Sequence, residues 1–272
     1  MKPQWCLSEA QTVQAGVTGM AELTRSVSRA IGVLLCFSHK EPELSLTEIS
    51  GKLGIHKSTL HRLLGTLESE RFVQRDPVSG KYRLGMKLLE LASLVADSND
   101  LQERARPHLY QLAERCNETV DLSILDGAEV VYLEVVESTQ RVKLAARPGE
   151  RLPAYSTASG KAFLAYLPIA AIETMLPAEF ARHAEGTLTS RSALIKDLQI
   201  TRERGFAVSL QEHESGINAV AAPVLDSRLY PIAAIAVAGP AFRLTDERMN
   251  ELGPLVRATA DAIAREVGSP RA

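Results

Sequence analysis

The stretch HKSTLHRLLGTLESE, His56 to Glu70, carries two kinds of chemistry at helical spacing. Leu60, Leu63, Leu64 and Leu67 fall on one face, and repeats of this kind seat a helix on a core. His56, Lys57, Ser58, Thr59, His61 and Arg62 crowd the other side at its start. An α-helix fits the major groove of B-DNA, where cations and hydroxyls near its leading end reach base edges and phosphates. On that reading Lys57 and Arg62 contact phosphate or guanine, Ser58 and Thr59 a base edge or phosphate, and His61 either, with His56 at the same tip. Each of these side chains, taken singly, also reads as ordinary surface, and Thr59 or His61 as a cap or packing residue.

Other chemistry finds less support. Glu212, His213 and Glu214 form EHE, which is not HExxH and has no second histidine beside it. ASGKA lacks the upstream Gly and the following Ser or Thr of a phosphate-binding loop, since Tyr155 and Ala162 stand there. Lys161 does not stand three residues after a serine. No catalytic residue, metal site or cofactor is expected. His213 remains a candidate to ligate or orient a small molecule.

Several elements must hold the His56 helix in place. Val27, Ala30, Ile31, Leu34 and Leu35 predict a first helix over about 27–38 with Ser26 as cap. LTEISGKLG predicts a second, with Thr47 as cap, Ile49 and Leu53 inward, and Gly54 as the turn. After the third helix, Phe72 and Val73, a turn at Asp76–Gly80, then Tyr82 and Leu84 read as a hairpin. This is the order of a winged helix-turn-helix. Its hairpin offers Arg75, Lys81 and Arg83 to flanking phosphates or the minor groove, and Arg25 and Arg29 offer more at the first helix.

Charge agrees with that placement. Arg25 to Gly85 holds ten Lys or Arg against six Asp or Glu, +4 in a chain whose total is -2. The 272 residues, 45% hydrophobic and 24% charged, suit one large or two medium folded domains. Cys6, Cys36 and Cys116 are too few and too scattered for a disulfide framework, which favours a reducing compartment. No apolar run approaches the roughly 18 residues of a membrane span, so a cytoplasmic protein is expected.

Residues 1–24 read as a tail, 25–85 as the winged domain, 86–100 as a helical linker, 101–268 as a second domain and 269–272 as a second tail. Pro107 marks a bend or an early helical position after a break near DSND. From Glu118 the period changes to two: strands about an Asp126-Gly127 turn, a third in QRVKLAA, helices from Ser159 or Gly160, in AAIETML and in SRSALIKDLQITRERG, then strands FAVSLQE, INAVAAPVLD and YPIAAIAVAGP. The last is apolar enough for the middle of a sheet. A helix from Thr245 to Val267 closes an α+β fold with a mixed, mostly antiparallel sheet.

The segment from SVSRAIGVLL to KYRLG resembles the DNA-binding domain of the IclR family of bacterial transcriptional regulators, with Arg71 where the family pattern usually has Gly. STASGKAFLAYLP, RERGFAVSLQEHESGINAVAAPVLD and IAAIAVAGPAFRLT resemble that family's effector-binding domain, GAF-like in fold, in the same order. The resemblance implies a homodimer or dimer of dimers on double-stranded operator DNA of approximate two-fold symmetry, controlled by a small metabolite. It places Ser159, Gly160, Lys161, Ser209, Ile217, Ala219, Ala236 and Ala238 at the effector. The alanines replace Cys or Ser of relatives that take small polar acids, which implies a larger carboxylate with an apolar part, such as an aromatic or acyl acid. Tyr132, Tyr155 and Phe163 are candidates for the lining and equally good core. An enzyme with an accessory winged domain and a protein-docking module are the competing readings.

Overall fold

The computed structural model describes residues 24–38, 40–97 and 100–268; the expected tails, apart from Thr24, lie outside the described residues. The chain divides into two compact units, with the boundary in the sequence between positions 98 and 99.

The first unit begins with α1 (Arg25–Leu34), α2 (Leu46–Leu53) and α3 (Lys57–Ser69), followed by the hairpin β1 (Val73–Arg75) and β2 (Tyr82–Leu84). Ser45, not Thr47, caps α2: its hydroxyl accepts from the Glu48 amide while the Glu48 carboxylate accepts from the Ser45 amide, at 2.7 Å. Ser-x-x-Glu is the spacing that satisfies both donors reciprocally. Ser26 does not cap α1 either, because the helix starts two residues earlier than expected, after Thr24. The inward stripe of α1 is also displaced from the expected one. Val33 and Cys36 are buried with Ala30, Leu34 and Phe37 against them, whereas Val27, Ile31 and Leu35 are exposed. Gly54, at φ 66°, turns the chain into α3, whose Leu60, Leu64 and Leu67 join Val33, Ile49, Val73 and Tyr82 in one core, with Leu63 half-buried at its margin.

Arg71 follows α3 at φ 64°, a left-handed conformation that favours Gly. Its carbonyl accepts from the Lys87 amide, and its guanidinium pairs with Glu90 at 2.7 Å. The first turns of α4 (Met86–Asp97), within the stretch expected as a helical linker, are therefore fastened to the winged unit. Gly85 lies so close to the Arg71 carbonyl that a Cβ would stand 2.1 Å from its oxygen.

The second unit is a six-stranded sheet in the order β5-β4-β3-β8-β7-β6. Its strands are β3 (Thr119–Asp126), β4 (Glu129–Val136), β5 (Arg151–Pro153), β6 (Ala207–Leu210), β7 (Ile217–Leu225) and β8 (Pro231–Pro240). Every pairing among them is antiparallel, so the sheet is not mixed: hairpins or long returns reverse the chain at each step. The apolar β8 sits between β3 and β7. The strand expected in QRVKLAA is irregular instead; Arg151–Pro153 takes the edge beside β4, where Arg151 pairs with Asp126 and Glu129.

Strand alternation sorts two layers. Val120, Leu122, Val220, Ala222, Ile235 and Val237 pack against α5 (Asp100–Cys116) and α9 (Asp246–Val267). Ala207, Ala221, Ala234 and Ala236 face a 3-10 turn at Ala154–Ser156, α6 (Ala158–Leu164), α7 (Ile169–Met175) and α8 (Arg191–Arg204). Pro107 lies inside α5 without ending it, and Thr245 caps α9 by accepting from the Arg248 amide.

Candidate functional site

The leading turn of α3 is exposed at His56, Lys57, Ser58, His61 and Arg62, and half-buried at Thr59. His56 is the N-cap: its Nδ1 accepts from the Ser58 amide and lies 2.9 Å from the Ser58 hydroxyl. Those two side chains are thus engaged locally, while Lys57 and Arg62 carry no ion-pair partner among the described residues. On the wing, Arg75 donates to the Gly80 carbonyl and stands 5.7 Å over the Tyr82 ring, Arg83 donates to Gln74, and Lys81 is half-buried. Arg25 and Arg29 are exposed on α1. The result is a basic tip on an apolar floor, fixed by a short core.

In the second unit, a cavity of about 110 Å³ lies between the small-residue face of the sheet and the start of α6. Ala219 pairs with Ser209 on one side and Ala238 on the other, and Ala236 pairs with Asp121, so methyl-sized side chains on β7 and β8 leave the space. Ser159, Ser209, Ile217, Ala219, Ala236 and Ala238 line it, with Tyr132 from β4 and Ser156 and Thr157 before α6. Three acidic residues, Asp121, Glu150 and Glu214, reach it, and no Lys or Arg does. His213 also lines it, 3.1 Å from the Ser156 hydroxyl; burial, and then the neighbouring His183, hold its pKa below the ordinary value.

Asp121 is the unusual member. It is 1% exposed, its Oδ1 has no hydrogen-bond partner, and burial pushes its carboxyl pKa up to about 8, against a smaller lowering by the Ser159 hydroxyl. Burial first, then the Asp121 charge, also raises the Tyr132 phenol.

Comparison with known proteins covers both units. The family described as "Bacterial transcriptional regulator IclR C-terminal" matches residues 93–265, and the "IclR helix-turn-helix domain" matches residues 26–77. The chain belongs to the IclR family. It is similar to the HTH-type transcriptional regulator XynR of Escherichia coli, at 36% identity over 91% of this chain and 99% of the relative. A crystal structure of the Thermotoga maritima IclR superposes with a TM-score of 0.75, at 31% identity over 90% of this chain and 99% of that one. An IclR homologue from Microbacterium hydrocarbonoxydans, complexed with 4-hydroxybenzoate, gives a TM-score of 0.80 at 26% identity over 89% and 98%. IclR-family chains are DNA-binding transcriptional regulators with a C-terminal ligand-binding domain, and not enzymes.

Two positions that the IclR resemblance assigned to the effector stand elsewhere. Lys161, on α6, is fully buried, and its Nζ donates to the Val208 carbonyl at 2.6 Å and pairs with Glu212 at 2.6 Å and Asp197 at 3.0 Å. A buried ammonium needs such partners to offset its lost hydration, so it is spent on the fold. Burial raises the Glu212 carboxyl pKa, and Lys161 opposes that shift. Gly160 is a packing glycine: a Cβ there would stand 2.1 Å from the Ala154 carbonyl oxygen, so its absence lets α6 lie on the turn before it. Tyr155 and Phe163 are core residues, and the Tyr155 hydroxyl bonds to the Ala181 carbonyl and lies 2.9 Å from His183.

Sequence reasoning passed over Asp121. Its signal was present in TVDLSILD, where Thr119, Asp121 and Ser123 alternate with Val120, Leu122 and Ile124. All three polar residues are buried, so this β3 face is a polar inner surface.

Proposed function

We propose that Lys57, Ser58, Thr59, His61 and Arg62 enter the major groove of an operator, with Arg25, Arg29, Arg75, Lys81 and Arg83 holding flanking phosphates. The observation that carries this reading is that Lys57 and Arg62 are exposed, with no ion-pair partner among the described residues, on a helix whose leucines are locked in a core. His56 shapes the tip as its cap. The protein acts in the cytoplasm as a homodimer or dimer of dimers, and two-fold symmetry sets two half-sites about 34 Å apart. The effector is a small organic acid in the α6 cavity; about 110 Å³ is less than the roughly 150 Å³ that holds benzene, so the cavity takes a short chain as it stands and must widen for a single-ring acid. The 4-hydroxybenzoate of the Microbacterium relative is such an acid. A large acyl acid would need the cavity to open. Effector binding that favours one arrangement of the chain by roughly 1 to 3 kcal/mol shifts operator affinity about 5- to 150-fold.

Operator fragments selected from genomic DNA by the full chain provide the assay. The double variant Lys57→Ala, Arg62→Ala is expected to stay folded, to lose about 10- to 100-fold in affinity and to flatten the salt slope by about two phosphates. Unchanged DNA affinity in the folded variant would remove these residues from the interface and favour the docking-module reading.

A further inference from the structure

We propose that Asp121 is the recognition group of the α6 cavity and donates its carboxyl hydrogen to an oxygen of an anionic effector. The inference rests on the cavity being the effector site, and it adds how an anion is held there without a cation.

Its first support is geometric. Asp121 lines the cavity, and its Oδ1 is buried without a hydrogen-bond partner among the described residues. An orphaned polar atom in a buried position carries a desolvation penalty that a ligand able to hydrogen-bond it removes. The second support is the company it keeps. Ser159 on α6, Tyr132 on β4, and Ser209 on β6 supply hydroxyls; the charged or titratable groups from the surrounding elements are Glu150 before β5 and His213 and Glu214 after β6. β8 contributes only Ala236 and Ala238. With the cation candidate Lys161 held by Glu212 and Asp197, only neutral donors remain to meet an anion.

Burial keeps the Asp121 proton in place through neutral pH. A carboxylic acid in that form donates as well as a hydroxyl does, and a bond from it to a carboxylate is charge-assisted and strong. Ionised Asp121 would instead repel the same ligand. Effector affinity therefore falls as pH rises through about 8, in the window where the proton leaves. His213, with its lowered pKa, is already neutral there and adds nothing to the slope.

The test titrates benzoate, 4-hydroxybenzoate, benzamide and benzylamine calorimetrically into the full wild-type chain and into Asp121→Asn, from about pH 6 to about pH 9, where Asp121 changes form. At least one of the two carboxylates is expected to bind, with affinity falling about tenfold per pH unit above about 8 in wild type and staying level in Asp121→Asn, whose amide still donates. Infrared difference spectra at neutral pH are expected to show a protonated-carboxyl band in wild type that the variant lacks. Tighter binding of benzylamine, a carboxylate affinity flat or rising with pH in wild type, or no binding of either carboxylate would overturn the proposal. Should Asp121→Asn fail to fold, the wild-type pH profile decides alone. Operator binding by the same preparation is read in parallel: if it persists, only the effector inference has failed, and if it is lost, the regulatory assignment itself is in question.

Discussion

The tip of α3 and the cavity beside α6 solve recognition in opposite ways. The tip is contiguous in sequence, exposed and cationic; the cavity gathers residues from positions 121 to 238, is lined mostly by buried ones, and has no Lys or Arg in its lining among the described residues. The difference follows from the target. A duplex is a dense array of phosphates that rewards exposed positive charge by releasing counterions. A small molecule must be desolvated, and each unpaired charge in its site carries a cost that only the ligand relieves.

That contrast predicts where mutations hurt stability. The largest loss is expected at Lys161, which the family resemblance puts at the ligand and which the structure buries outside the cavity lining. Lys161→Met leaves Glu212 and Asp197 facing each other without their counter-ion, at a cost of about 3–5 kcal/mol in denaturant unfolding. A near-neutral Lys161→Met with weakened effector binding would return the lysine to the site and erase this part of the contrast.

Asp121→Asn should move stability the other way. The folded pKa of Asp121 is raised above its ordinary value of 3.8, so the unfolded chain releases this proton first as pH rises. The wild-type fold keeps its full advantage below about pH 4 and loses it progressively as pH climbs through about 8. Asparagine has no such titration. Relative to wild type the variant is therefore expected to gain stability with rising pH, by a few kcal/mol at pH 8 and little at pH 4, measured as a pH series of melting temperatures. A constant offset would mean that Asp121 is ionised in the native cavity.

At the tip the expected pattern is reversed: Lys57→Ala with Arg62→Ala costs DNA affinity and changes the melting temperature little, because exposed cations without partners contribute little to the fold. A drop in stability comparable with that of Lys161→Met would show that the tip is also structural.

The same contrast explains what could be read from the chain. The winged unit was legible because its informative spacings are local: Leu60, Leu64 and Leu67 report the buried face of α3 within two turns, and Tyr82 and Leu84 report the returning strand. Errors there were of phase, as with Val27, Ile31 and Leu35, which are apolar yet exposed because α1 turns the neighbouring stripe inward. In the second unit most strands and helices were legible from period alone, and so was the central place of β8, but the third strand was not: it lies at Arg151–Pro153 and not in QRVKLAA. Nor was the bottom of the cavity legible. Whether Lys161 points to a ligand or to Glu212 depends on a contact 51 residues away, and ASGKA carries no sign of it. Asp121 was a missed local signal, since an acid in phase with Thr119 and Ser123 opposite an apolar face announces a polar inner surface.

Arg71 tests the contrast at its weakest point, the joint between α3 and the hairpin. Its φ of 64° costs about 1 kcal/mol relative to glycine, which occupies this conformation without a Cβ clash. Opposing that, its guanidinium pairs with Glu90 on α4, but both side chains are substantially exposed, and such pairs are worth about 0–1 kcal/mol. Glycine also loses more chain entropy on folding, by a similar amount. Arg71→Gly is therefore expected to leave the midpoint of unfolding within about 1 kcal/mol of wild type. Its larger effect should fall on α4, whose first turns lose a side-chain anchor while keeping the bond from the Lys87 amide to the residue 71 carbonyl. Faster amide exchange over residues 86–90, with exchange on α3 unchanged, would show that this arginine trades backbone ease for a fixed start to the connecting helix. Unchanged exchange would mean that the backbone bond alone holds that helix and that the ion pair is surface decoration.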